Sequence, residues 1–364
     1  MNVRILGEHD RLAYETALET FPLGDYAQAW SWGELKRLSG WEPIRLAISD
    51  RRETRLVATL LLRRLPLPYV DWHILYCPRG PACDPQDWDA MQRFFVLLAD
   101  LGEERRAILA KIDPDIPDAP EVRAQLSSFG LVPGRLRGPF EGFQPRHVAR
   151  LSLSGTPAET FQSFHPKGRY NVRLAYRHGV RVVAGEAQDV AAFYALLTDT
   201  AHRQRFFVRE FAYVKAVYDA FVPSNRGILL LAHREGRLLA GALVAASGRK
   251  ASYLLGASAR YGREHMPAYL VQWEAIHWAH RQGCTVYDFL GVGPPGRRSA
   301  LDGLWAFKSK FGARRVSFIG EWDLPINPAA HALWRTFEGP LTKGRALVAR
   351  AHLGRAPLPQ AVRP

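Results

Sequence analysis

The chain has 364 residues, 47% of them hydrophobic and 23% charged, with 49 basic against 35 acidic side chains, a formal charge of +14 and a pI near 10.0. That length exceeds what one hydrophobic core usually organises, so two domains are expected, and the charge favours polyanionic partners: nucleic acid, phosphorylated metabolites or anionic lipid. Three cysteines (Cys77, Cys83, Cys284) exclude a disulfide framework and offer no metal-ligand spacing. No apolar run approaches the roughly 20 residues of a membrane span and no signal region opens the chain, so a cytoplasmic protein is expected, compatible with a peripheral visit to the inner membrane face.

Taken in chain order, the periodicity predicts a helix near 26–38 with Trp30, Leu35 and Leu38 inward, then a strand pair over 44–49 and 55–65. A third strand covers 71–76 and ends at Pro78-Arg-Gly-Pro81. A helix over 84–101 with apolar face Trp88, Met91, Phe95 and Leu98 follows, then a strand over 106–112 closed by Asp113-Pro114, a helix over 121–129, and a loop over 133–145. A second unit starts with a strand over 147–153 and a helix over 157–178. It continues with a strand at 180–184, a helix over 189–200 with Ala192, Leu196 and Leu197 inward, and a helix over 213–222. A hairpin over 227–234 and 237–247 turns at Glu235-Gly236, a strand runs over 250–255, a helix over 267–281 stops at Gly283, and a strand covers 285–290. The second unit repeats the element order of the first, which predicts a mixed α+β fold and an internal duplication.

Two stretches carry most of the chemistry. Tyr287-Asp-Phe-Leu-Gly-Val292 ends a strand at a glycine, and Gly303-Leu-Trp-Ala-Phe-Lys-Ser-Lys-Phe-Gly312 follows after a glycine/proline loop. A lysine in an aromatic segment just past a strand end suits an oxyanion or phosphate. Upstream stand Ala29-Trp-Ser-Trp-Gly-Glu-Leu-Lys36, Gly40-Trp41, Tyr76-Cys-Pro-Arg-Gly-Pro81, Lys111-Ile-Asp-Pro114 and Lys167-Gly-Arg-Tyr-Asn-Val-Arg173. Arg209, Tyr213, Gly256-Ala-Ser258 and Trp273 follow.

In this order the blocks resemble the Fem family, aminoacyl-tRNA-dependent enzymes that build peptidoglycan cross-bridges. The resemblance implies two tandem acetyltransferase-like (GNAT-like) α+β domains with mixed sheets flanked by helices. Residues 1–148, completed by a return of about 321–350, would form one, 149–320 the other, and 354–364 a disordered tail. The family's larger members carry a long helical arm; 201–222 is too short for one, so the chain is similar to the compact FemX-type enzymes, and a monomer is expected.

The resemblance further implies Lys308, beside Phe307, as the group that neutralises the oxyanion or the tRNA terminal phosphates, with Lys310 a substitute or a tRNA contact. Lys36, Arg209, Tyr213 and Tyr253 would bind the acceptor, a peptidoglycan precursor linked to UDP (UDP-MurNAc-pentapeptide) or to lipid (lipid II). Taken alone, Lys36 reads as a solvated charge at a helix end, and Arg209 with Tyr213, four apart, as simple packing. Arginine and tyrosine together suit a diphosphate. Lys167, Arg169 and Arg173 form a basic face for the phosphates of aminoacyl-tRNA, or a solvated surface. Asp113 is a general-base candidate that turn formation explains equally well. An aminoacyl ester is already activated, so no cofactor or metal is expected. An acyl-CoA-dependent N-acyltransferase of the same fold, acting on cell-envelope polysaccharide, is the alternative. The segment Ala259–Ala268, with one glycine and Pro267, is poorly made for coenzyme A. A catalytically inactive RNA- or lipid-binding protein is a third class.

Overall fold

The computed structural model describes residues 1–336 apart from Arg52, Pro68, Arg137 and Arg297; the sequence expectations for the 354–364 tail, and for the return beyond residue 336, lie outside them. The chain opens with β1 (Asn2–Ile5), α1 (Arg11–Thr20) and α2 (Trp30–Arg37). Next come β2 (Glu42–Asp50), β3 (Glu53–Arg64), β4 (His73–Cys77), β5 (Ala82–Cys83) and α3 (Trp88–Glu104). Then follow β6 (Ala107–Ile112), α4 (Pro120–Ser128) and β7 (Val132–Pro133).

The remainder runs β8 (His147–Ser152), α5 (Pro157–Ser163), α6 (Pro166–Arg177), β9 (Arg181–Ala184), α7 (Val190–Gln204) and α8 (Phe211–Phe221). After these come β10 (Gly227–Arg234), β11 (Arg237–Ser247), β12 (Lys250–Ser258), α9 (Pro267–Arg281), β13 (Val286–Gly291), α10 (Asp302–Lys308), β14 (Arg314–Ser317) and β15 (Trp322–Pro325).

These strands make two mixed sheets of like plan. The first has the order β1-β2-β3-β4-β6-β15-β7 with β5 on β3, the second β9-β10-β11-β12-β13-β8-β14. In each, an antiparallel run of four strands meets one parallel neighbour, β4 with β6 and β12 with β13. Late in the chain, β15 pairs with β6 and so joins the first sheet. The fold is therefore mixed α+β, as the periodicity predicts.

Local chemistry explains the boundaries. The predicted helix over 157–178 is two helices, because Pro166 cannot continue α5 and instead starts α6 at its first turn. The helix predicted from residue 84 begins at Trp88, where the Asp87 carboxylate caps the Ala90 amide at 3.1 Å. At the β10–β11 hairpin Glu235 and Gly236 both take positive φ, the geometry of the tight turn that matches strand twist. Two inward assignments fail. Leu38, just past the end of α2, is exposed, and on α7 Ala192 is exposed, Phe193 taking the inward place beside it, while Leu197 is buried and Leu196 packs against the core as predicted.

Among the described residues, three large apolar clusters organise the molecule beside a smaller one around Leu65, Ile74 and Trp334. One packs α3 against the first sheet, with Phe94, Phe95 and Leu98 on Leu46, Leu60 and Ala110. A second packs α6, α9 and Phe311 on one face of the second sheet. The third is shared between the halves: Tyr14, Trp30, Trp32 and Leu35 meet Phe193, Leu197, Val214 and Phe221 on the opposite face of that sheet. Alternation along β10 decides which is which, Leu230 facing the second cluster and Leu229 and Leu231 the third.

Candidate active site

The second sheet opens where β12 and β13 stop pairing. Their parallel register holds only at Lys250↔Val286, Ala251↔Tyr287 and Ser252↔Asp288. Beyond it the Asp288 carboxylate accepts the Leu290 amide at 2.7 Å and Leu290 takes φ +57°. This bend turns the carbonyls of Leu290 and Gly291 toward Lys308, the last residue of α10. Lys308 Nζ donates to them at 3.2 and 2.8 Å. Burial pushes its pKa down to about 8, with the Asp288 charge opposing that shift. An ammonium has three protons, and two carbonyls take two of them. Phe307 packs edge-on to Tyr269 at 5.1 Å and Phe311 at 5.2 Å, which fixes the end of α10.

Across this bend lies a buried charge cluster built from both halves. Lys250 Nζ bridges Asp25 and Asp115, each at 2.6 Å. Arg150 spans Asp115 and Asp288, the latter at 2.8 Å. Although burial opposes it, Lys250 and Arg150 hold the Asp115 carboxyl well below the usual range. Arg79 stacks on Phe318 at 4.8 Å and lies in the field of Asp115, Asp113, Asp25 and Asp288. Asp113 has both oxygens engaged, by Tyr76 Oη and by the Arg79 amide, each at 2.6 Å, and burial raises its pKa to about 7.

A second constellation forms where α2 of the first half meets α8 of the second. Lys36 Nζ donates to Tyr213 Oη at 2.7 Å and sits 4.1 Å above the Trp32 ring. Arg209 stacks on Tyr213 at 4.8 Å and reaches Ser39 Oγ at 3.3 Å. Burial, with Arg209 adding, pulls the Lys36 pKa down to about 7. The Trp32 indole N–H is buried with no hydrogen-bond partner among the described residues. Tyr26, edge-on to Trp32 at 5.0 Å, feels both Asp288 and Tyr213, and so connects this constellation to the sheet opening. Tyr253 lies on β12 just past its last pair with β13, and burial raises its pKa to about 12. Gly256 makes room for that ring, since a Cβ would fall 1.5 Å from Tyr253 Oη and displace it.

The basic residues of α6 divide. Lys167 and Arg173 are exposed, whereas Arg169 donates to the carbonyls of Gln162 and Phe164, closing the end of α5. Lys310 lies beside them. The His165 amide donates to the Lys310 carbonyl at 3.1 Å, and Gly168 presses so close that a Cβ would lie 2.1 Å from that oxygen.

A family profile described as the FemAB family matches residues 11–235 and 231–338. The chain belongs to the FemAB family. It is 26% identical over 406 aligned positions to a lipid II:glycine glycyltransferase of Staphylococcus saprophyticus, covering 93% of this chain and 97% of that protein. Its fold is similar to that of the FemX crystal structure, with a TM-score of 0.85 and 24% identity over 93% of this chain and all of that one. A tandem GNAT protein of the clavulanic acid pathway superposes at a TM-score of 0.51 with 11% identity, covering 90% and 99% of the two chains.

This FemAB protein is thus a transferase with two mixed α+β sheets. Only a short link, 205–210, joins α7 to α8 where an arm would stand. Among the described residues no cluster of side chains suits a metal ion. Sequence reasoning assigned no role to Trp32, Arg79, Asp115, Arg150, Lys250 or Asp288. Three of them, Trp32, Arg79 and Asp288, stand inside the motif blocks, which was the available signal. Lys250, Arg150 and Asp115 carried none, since their pairings join positions far apart in the chain.

Proposed function

We propose that this protein transfers an amino acid from aminoacyl-tRNA to the side-chain amino group of a peptidoglycan precursor's stem peptide, forming an interpeptide bridge. The observation that carries this is the Lys36–Tyr213–Arg209 constellation. It is a cationic, aromatic site suited to a diphosphate, assembled from both halves and connected through Trp32 and Tyr26 to the opening that holds Lys308. The relatives' name, lipid II:glycine glycyltransferase, favours glycine as the residue moved and a lipid-linked acceptor.

In the reaction the acceptor amine forms a bond to the ester carbonyl carbon, the carbonyl oxygen takes up negative charge, and the C–O bond to the tRNA ribose breaks. The proton released from the amine leaves with the ribose hydroxyl. Lys308 serves the oxyanion with its third N–H, held in place by Leu290 and Gly291. Phe307 positions Lys308, and Tyr253 flanks the acceptor. Asp113, both of whose oxygens are taken, acts here as a positioning residue for the Arg79 turn. Lys167, Arg173 and Lys310 receive tRNA phosphates, with Arg169 holding the helix that presents them.

The coenzyme A reading is less well supported. The first turn of α9 begins with Pro267, which has no N–H to offer a pyrophosphate. Incubation with glycyl-tRNA and lipid II, followed by mass analysis of the acceptor, tests the proposal: addition of a glycine residue is expected. Addition of an acyl group from acyl-CoA, with none from tRNA, would replace it by the alternative.

A further inference from the structure

We infer that the link between α7 and α8 is a docking surface for an anionic lipid bilayer. This rests on the proposed function, because a lipid-linked acceptor presents its diphosphate at such a surface. The segment reads Arg205-Phe-Phe-Val-Arg-Glu210 and leads into Phe211. Phe206, Phe207 and Phe211 are 38%, 56% and 42% exposed, and Leu38, just past the end of α2, is 63% exposed. Arg209 reaches Ser39 at 3.3 Å, which brings the link beside the end of α2, where Leu38 lies and Lys36 donates to Tyr213. Single exposed apolar side chains are ordinary, whereas three rings in one short stretch, with Leu38 at the helix end it contacts, mark a surface that meets something apolar.

Charge decides what that partner is. Arg203 is held by Asp199 at 2.9 Å, and Arg37 by Glu34 at 2.7 Å. Among the described residues Arg205 and Arg209 have no carboxylate partner, and Glu210 is the single acid in the link. Exposed rings with unpaired guanidiniums are the chemistry of the headgroup layer: rings enter the acyl boundary and arginines meet lipid phosphates. No described helix is long and apolar enough to cross a membrane, so the contact is interfacial. Position separates it from the proposed RNA face. The apolar sides of α6 and α7 pack on opposite faces of the second sheet, so the Lys167–Arg173 helix and this link stand on different sides of the molecule.

Cosedimentation of the full chain with vesicles tests the inference. Vesicles of equal parts phosphatidylcholine and phosphatidylglycerol are expected to bind it, and pure phosphatidylcholine vesicles much less. Phe206→Ser with Phe207→Ser should weaken binding about tenfold or more, and Arg205→Ser roughly fivefold. Since Cys77, Cys83 and Cys284 are all buried, Phe207→Cys can carry a single environment-sensitive dye, whose emission should shift to the blue on phosphatidylglycerol vesicles. Equal binding by wild type and the double variant, or a dye that responds to tRNA and not to vesicles, would overturn the inference. Transfer to a water-soluble acceptor should be unchanged in the double variant. If wild type transfers to no acceptor, the proposed reaction fails while the vesicle result still decides the docking surface.

Discussion

Lys308 and Lys36 are two lysines that burial weakens as bases for different ends. Lys308→Met keeps the apolar stem and removes the charge. Transfer by the folded variant should fall about a hundred- to thousandfold, a loss of about 2.7 to 4 kcal/mol in transition-state stabilisation, while acceptor affinity stays near normal. A single-turnover rate beside a binding titration separates the two, and an unchanged rate would remove Lys308 from the chemistry. Lys36 gives a pH dependence. Its folded pKa is about 7, so the ammonium that faces a diphosphate is present below that value and is lost as pH rises through it. Acceptor affinity should therefore decline above about pH 7, approaching tenfold per unit at most, and Lys36→Met should abolish this limb. A Lys36→Met enzyme that retained the limb would assign it to another group.

At the scale of the element, the end of β13 is the device that aims Lys308. Asp288 bonds the Leu290 amide, holds Leu290 in its left-handed conformation and opposes the desolvation of Lys308. Asp288→Asn retains an acceptor for the amide and removes the charge. The Lys308 pKa should then fall further, moving the alkaline limb of the transfer rate to lower pH than about 8. Asp288→Ala also releases the bend and should lower the rate across the whole pH range. Identical profiles for the two variants would show that the charge alone, and not the bend, is what matters.

For the whole molecule, the charge cluster between the halves and the overall +14 charge act in different ways. Asp115 has its pKa lowered in the folded state by Lys250 and Arg150, so the stability it contributes is complete above the ordinary value of 3.8 and is lost as pH falls below it. Denaturant titrations should show stability declining below about pH 4. Lys250→Met, which takes the ammonium from buried Asp25 and leaves Asp115 to Arg150 alone, should destabilise by about 3 to 5 kcal/mol at neutral pH. A variant as stable as wild type would show that water reaches the cluster. The net charge should make tRNA binding strongly salt-dependent. Removing Lys167, Arg173 and Lys310 should flatten the log–log slope by about 0.7 to 0.9 for each phosphate that is no longer neutralised. An unchanged slope would place the RNA elsewhere.

Hydrophobic period and turn chemistry determined the mixed α+β architecture, because they act within a few residues of one another. The Glu235-Gly236 hairpin and the Pro267–Arg281 helix were legible to the residue. The break at Pro166 was written in the sequence too, and a continuous apolar pattern masked it. The exposure of Leu38 was not legible, since helical phase says nothing about what lies opposite. Lys36, Arg209 and Tyr213 could be named from motif blocks, yet only the packing of α2 on α8 brought Lys36 and Tyr213 within 2.7 Å. The Asp25–Lys250–Asp115–Arg150–Asp288 cluster was decided by tertiary structure alone. Each member is an ordinary charged residue in its own segment, and its meaning arises where two sheets exclude water and oblige distant charges to pair.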